Sequence, residues 1–325
     1  MAVMLKEWLE LIDKEYLRDF IVNGGAAVKF LIADDASIGA LNAGLIDQAA
    51  AHGLVFTSVS SADVKLHMIQ DVFFAVSRQI TWEADAQRFV EGLFQRQGYQ
   101  WPSPGEPVAL SEIAETNKVD ATILRREFNT WLTTHLMKDT SMAQDFRIAV
   151  MQLCLNRLAP AGHGGEEIAP ILQWLRGELR LLSPLKSANI YSRITRYNAR
   201  AMLRSLCRWI ALADHKGLLL AIDIRQLMRT ASVVAEGMRY TSGAVMDAYE
   251  VLRQLVDDVD LFERLFVAVF ADRAFIGDDR KRSVDAYTAL KMRIWDDVRA
   301  RAQDNPLAPM VIIEPNAKAE GGIDQ

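Results

Sequence analysis

Gly24-Gly25-Ala26-Ala27-Val28-Lys29-Phe30-Leu31-Ile32-Ala33-Asp34-Asp35-Ala36-Ser37-Ile38-Gly39-Ala40 carries a short apolar run, residues 28–32, entered through two glycines. The run is rich in β-branched and aromatic residues, the signature of a parallel strand buried on both faces. A second such run follows at residues 54–59, and residues 41–51 between them have helical composition. Strand, loop, helix and strand in that order spell a βαβ unit. Ahead of it Leu5, Trp8, Leu9, Ile12 and Tyr16 recur at helical spacing and predict a docking helix.

Working outward, Leu66, Ile69, Phe73, Val76 and Ile80 continue a helical period through residues 63–94, which Gly98 and the cluster Pro102, Pro104, Gly105, Pro107 bring to an end. Residues 108–212 show almost only helical patterns, interrupted at Ala161-Gly162-His163-Gly164-Gly165 and at Ser183-Pro184. Strand character returns at residues 217–222 and 265–271, with a helix near 244–255 between them, and again at 310–313 after a helix at 284–301. The expected architecture is therefore α/β, a parallel sheet of about five strands split by a large all-helical insertion. Its segments are residues 1–100, the N-terminal half of the core; 101–212, the insertion; 213–314, the C-terminal half; and 315–325, a polar tail.

Composition sets the outer limits. With 325 residues, 50% apolar and 24% charged, the chain has material for a large core, and no apolar run is long enough to span a membrane. Cys154 and Cys207 lie in apolar helical stretches, too few for a disulfide framework or a four-cysteine zinc site. A reducing, cytoplasmic setting is expected. The net charge of −5 is uneven: residues 172–216 hold nine Lys/Arg and two Asp/Glu, leaving −12 on the remainder.

A phosphate-binding loop surrounds phosphates with backbone N–H groups, neutralises them with a Lys and holds magnesium through a Ser/Thr hydroxyl. Its place between first strand and helix is taken here by Ala33, Asp34, Asp35, Ala36, Ser37, Ile38, Gly39 and Ala40, in a frame where a working loop reads G-x-x-G-x-G-K-T. Every diagnostic position differs. The lead-in at residues 16–31 nevertheless resembles the ATP-binding, BrxD-like proteins of BREX phage-defence systems. So do the strand Gly217-Leu218-Leu219-Leu220-Ala221-Ile222-Asp223, similar to that family's Walker B strand, and Tyr287-Thr288-Ala289-Leu290-Lys291-Met292-Arg293, similar to its closing helix.

The resemblance implies a P-loop NTPase (AAA/STAND-like) fold over most of the chain, and the departures from it carry functional weight. Gly39 stands where the family's Lys would be and Ala40 where its Thr would be, while Asp34 and Asp35 put carboxylates beside the expected phosphates. Asp223 is kept at the Walker B-like position, but Ile224 follows where a Glu would activate water. Two readings stay open: an eroded ATPase loop, or a plain βα turn with Asp34 and Asp35 favourable near a helix N-terminus. Both disfavour catalysis. No cofactor is expected, ATP and magnesium entering only if a partner completes the loop.

Elsewhere the chemistry is sparse. His52, His67, His135, His163 and His215 lack metal-ligand spacing, and Ser37 lacks a G-x-S-x-G frame. Residues 110–126 have helix-turn-helix cadence, with Ala114 and Leu124 facing across a turn near Asn117-Lys118, but Asp120 at the head of the second helix suits a bland hairpin better than a groove reader. A helix near 193–210 is expected to align Arg193, Arg196, Arg200, Arg204 and Arg208 on one side, as a contact for nucleic acid or an acidic partner, or as internal ion pairs; Tyr191 and Tyr197 are candidates to stack bases.

The favoured expectation is a catalytically inactive ATPase-like subunit that scaffolds or regulates a prokaryotic anti-phage complex, with protein subunits as partners. The rivals are a nucleic-acid-binding adaptor using the arginine row, and an atypical ATPase completed in an oligomer, with Arg280, Lys281, Arg282 and Arg293 acting on a neighbour's nucleotide.

Overall fold

The computed structural model describes residues 2–106, 108–158, 165–230, 236–277, 279, 281–295 and 305–315. His163, Asp278, Arg280, the last turns expected of the helix at 284–301 and the tail beyond residue 315 lie outside the described residues. The chain divides into two compact units, residues 1–68 with 216–325, and residues 69–215.

The first unit holds a six-stranded sheet in the order β1-β6-β2-β5-β4-β3. Its strands are β1 (Ala2–Met4), β2 (Ala26–Ile32), β3 (Leu54–Ser60), β4 (Gly217–Asp223), β5 (Leu265–Ala271) and β6 (Met310–Glu314), and every pairing is parallel. The α/β fold with an all-parallel sheet is compatible with a P-loop NTPase-like fold. The five sequence-predicted strands all form. β1 is an addition: three residues are too few to show a period, and they pair because Val3 meets Ile313 at the edge of β6.

β4 and β5 are buried almost end to end, and β2 from Lys29 onward. One face of the sheet is covered by α1 (Leu5–Ile12) and α2 (Asp35–Ala51), whose Trp8, Ile12, Ile38, Leu41 and Leu45 pack with Leu31, Leu219, Phe266 and Phe270. Phe30, pointing to the opposite face, stacks on Phe275 with ring centroids 6.0 Å apart, and Tyr249 meets Phe275 edge-on. The successive crossovers leave neighbours β2 and β5 in opposite directions, β2 toward β3 and β5 toward β6. With right-handed connections that divergence opens a crevice at the carboxyl ends of the strands.

The second unit contains helices α3 (Ile69–Ser77), α4 (Trp82–Arg96), α5 (Leu110–Asn117), α6 (Ala121–Leu132), α7 (Gln144–Asn156), α8 (Gly165–Arg176) and α9 (Ala199–Leu212), and no strand among the described residues. The Pro102, Pro104 and Gly105 cluster therefore lies inside this unit, because α3 and α4 belong to it as well; Pro107 lies outside the described residues. The long helical period through residue 94 is two helices, broken where Trp82 folds back to donate its indole N–H to the Ser77 carbonyl at 2.9 Å. Cys154 and Cys207 are buried and unbridged. Helices α10 (Arg225–Met228), α11 (Ser242–Asp257) and α12 (Thr288–Ile294) return to the first unit. Among the described residues no helix is long and apolar enough to cross a membrane.

One residue of β2 opposes its surroundings. Lys29 is 5% exposed, with its ammonium 4.6 Å from the centre of the Tyr16 ring and bonded to the Leu307 carbonyl, and with no carboxylate partner among the described residues. Burial pushes its pKa down to about 8. Below that value the folded chain carries the charge at full cost; from there to about 10.4, the ordinary lysine value, the unfolded chain holds more protons and stability rises with pH. We expect Lys29→Met to stabilise the protein at pH 7 by up to about 3 kcal/mol, at roughly 1.4 kcal/mol per pH unit between the two values. Urea denaturation should show that advantage shrinking between about pH 8 and 10.

Candidate functional site

Between the end of β2 and the start of α2 stand only Ala33 and Asp34. The Ala33 N–H donates to the Ala271 carbonyl at 3.0 Å, extending the ladder, and Asp34 is the N-cap, its carboxylate accepting from the Ser37 N–H at 2.7 Å. That backbone hydrogen bond holds the Asp34 carboxyl below its ordinary range, with a smaller contribution from the Arg273 charge. Asp35, Ala36, Ser37, Ile38, Gly39 and Ala40 all belong to α2. The stretch aligned with a phosphate loop is thus a two-residue turn and two turns of helix. Ser37 and Ile38 are both buried, at 3% and 4% exposure, and Ile38 forms part of the wall of the cavity at the strand ends.

At the neighbouring strand ends, Ser60 pairs in register with Asp223, and Asp223 with Phe270. Asp223 is bound by its near neighbour Arg225: Nε lies 3.0 and 3.1 Å from the two carboxylate oxygens, Nη2 lies 2.5 Å from Oδ2, and the Arg225 backbone N–H reaches Oδ1 at 3.0 Å. The other arm of the guanidinium, Nη1, bonds Asp35 on the first turn of α2. Asp223 above all, and Asp35 after it, raise the Arg225 pKa still further above its ordinary value. Ile224 is fully buried and offers nothing to this side. Above the cluster opens a cavity of about 270 Å³, lined by Asp35, Ile38, Gly39 and Asn42 of α2, the strand ends Ser58, Ser60, Asp223 and Phe270, and Arg225.

The family model described as "BREX system ATP-binding protein BrxC/D" matches residues 14–320. The chain belongs to this family. No curated protein and no solved structure matches it. In this BrxC/D-family chain the fold brings Asp35, Gly39 and Asp223 to one cavity, separates Asp34 from them as a cap, and adds Arg225, Asn42, Ser58 and Ser60, which sequence reasoning passed over. The available signal for Arg225 was its spacing from Asp223 at a strand end; its pairing with Asp35 was not visible there.

The remaining candidates are placed as follows. Arg282 is buried and donates to the carbonyls of Leu227 and Tyr240, both at 2.8 Å, and Arg293 pairs with Asp257, so both are committed within their own unit; Lys281 is exposed. His52 pairs with Asp13, and His215 with Asp85 at 2.9 Å. The expected hairpin forms from α5 and α6, with Lys118 in the left-handed region and Asp120 capping α6 through the N–H groups of Thr122 and Ile123. Ala114 and Leu124 are buried, and Arg125 and Arg126 are exposed.

The five-arginine helix is corrected. Helix α9 begins at Ala199, so only Arg200, Arg204 and Arg208 share its face, while Arg193 and Arg196 lie in the segment before it. The Asn198 side chain is the reason: it accepts from the Thr195 N–H at 2.7 Å and donates to the Arg193 carbonyl at 3.0 Å, an alternative to helix for those residues. Arg208 is partly spent on Asp139, at 2.8 Å.

Arg225 links two segments of the first unit through carboxylates that have no second cation within salt-bridge distance among the described residues. Replacing it with Ala should destabilise the chain at neutral pH by about 1–3 kcal/mol, since Asp223 is left half-buried and unpaired. Asp35→Asn should cost much less, because the Asp35 side chain is 77% exposed. Chemical denaturation of the two variants and their double mutant measures both.

Proposed function

We propose that this chain is an ATPase-fold subunit of a BREX complex that does not hydrolyse ATP and acts there as a scaffold or regulator. Membership of the BREX ATP-binding family implies a role in phage defence. The observation that carries the rest is the Arg225 guanidinium held between Asp223 and Asp35.

In a P-loop ATPase the Walker B Asp helps hold magnesium while the loop and its Lys hold the β- and γ-phosphates. Here the cation beside Asp223 is the chain's own, fixed by three side-chain contacts within hydrogen-bond reach. The anion at the helix N-terminus is likewise internal, because the Asp34 carboxylate takes the Ser37 N–H. With a two-residue turn there is no ring of free N–H groups around a phosphate, and Gly39, at the position of the Lys, carries no charge to neutralise one. The residues present therefore do not fit Mg-ATP held in the P-loop manner, and the two carboxylates already share an internal cation. A site of this kind keeps the shape of an ATPase core as an unchanging surface for other subunits.

Titration calorimetry with Mg-ATP and a phosphate-release assay test this directly. We expect no turnover and no binding tighter than about 10 μM, an affinity worth roughly 7 kcal/mol. Micromolar or tighter binding that Asp223→Asn abolishes would contradict the proposal.

A further inference from the structure

The segment that precedes α9 is an irregular strap with a turn at residues 196–198, anchored on the second unit at several points. Asn189 turns the chain in the left-handed region, and Ile190 and Ile194 are buried, at 0% and 6% exposure. The Ser192 carbonyl accepts from the Trp174 indole N–H at 3.0 Å, the Ser192 hydroxyl bonds Asp145, and the Arg193 carbonyl is held by Asn198. What these anchors leave outside is unusual in kind. Tyr191 is 65% exposed and Tyr197 84%, Arg193 and Arg196 are exposed beside them, and the Arg196 guanidinium lies 4.8 Å from the centre of the Tyr197 ring.

Charge adds a second, independent constraint. Residues 179–213 contain seven Lys/Arg and no Asp/Glu, in a chain whose net charge is −5. Arg200 and Arg204 continue the row along α9 directly after the strap. Some of these arginines have intramolecular partners, as Arg193 has in the Arg180 carbonyl at 2.6 Å, so the charge row alone does not select a ligand. The rings do. Two tyrosines six residues apart, within about 20 Å of each other along the backbone, offer flat faces that are not used in the core. Every nucleobase has a matching face, and stacking on such platforms beside a cationic track is how unpaired strands are bound without sequence preference. A duplex keeps its bases stacked inside, and an acidic polypeptide brings charge without faces.

We infer that the strap Tyr191–Arg193–Arg196–Tyr197, with the adjoining arginines of α9, is a binding site for single-stranded nucleic acid. This does not depend on the state of the ATPase-like site. The bases stack on Tyr191 and Tyr197, and the phosphates between them face Arg193, Arg196 and Arg200.

The test is fluorescence anisotropy of the full chain with labelled oligothymidine and oligouridine of about 20 nucleotides, a mixed-sequence duplex of equal length, and polyglutamate as competitor. Either single strand should bind more tightly than the duplex, and preference between the two reports whether DNA or RNA is the favoured source. Tyr191→Ala and Tyr197→Ala should each weaken binding by about 5- to 100-fold, and the corresponding Phe variants should retain it. Arg193→Gln and Arg196→Gln should each lower the slope of log affinity against log salt by about 0.7. Circular dichroism melts, expected to be unchanged for these exposed positions, show that the variants are folded. Absence of binding at about 50 mM salt overturns the inference, as does binding indifferent to the Tyr→Ala changes. Tighter binding of the duplex, or displacement by polyglutamate as effective as by oligothymidine, also overturns it.

Discussion

Because β4 and β5 are buried over nearly their whole length, these strands can carry polar chemistry only where they end. A charge in the middle of such a strand would lose its hydration on both faces, and Lys29, on β2, shows what that does to an ammonium group. The carboxyl edge is therefore the natural location for Asp223, and the diverging crossovers from β2 and β5 leave room beside it. Burial of the sheet and the position of the site are one constraint seen from two sides.

That edge collects carboxylates, and the chain answers them with its own cations. Asp223 and Asp35 share Arg225, and Asp34 is satisfied by a helix N-terminus with Arg273 nearby. An arginine whose fork meets one carboxylate through two nitrogens while a third reaches another carboxylate is a geometry that a magnesium ion with phosphates would have to displace. Gly39 and Ala40 bring neither a charge nor a hydroxyl to this edge, and the cation that reaches both Asp223 and Asp35 is Arg225.

The second unit handles its positive charge differently. Its helices carry arginines with individual partners, such as Arg208 on Asp139, yet the strap before α9 presents guanidinium groups and tyrosine rings to solvent from a backbone pinned by Ile190, Ile194, Trp174 and Asn198. A fixed strap loses little conformational freedom when it meets a ligand, so exposed rings there are pre-organised rather than loose.

How far the sequence reaches can be judged residue by residue. The runs at 28–32, 54–59, 217–222, 265–271 and 310–313 announced strands because burial on both faces demands uninterrupted apolar character, and that demand is local. That residues 39 and 40 are Gly and Ala rather than Lys and Thr is equally local, being a matter of identity at fixed spacing. β1 escaped notice because a three-residue strand exists only through its partner β6. The helical spacing of Arg193 and Arg196 suggests a longer arginine row because it carries no sign that Asn198 binds the backbone of Arg193 and Thr195 first. Arg225 was passed over because half of its meaning lies in Asp35, 190 residues earlier in the chain. Sequence by itself determined which segments must be buried and which chemical group each position carries, since hydrophobicity and chemical identity belong to each residue; only the tertiary structure decided which charges pair with one another, since a Coulomb interaction depends on a distance that the fold alone creates.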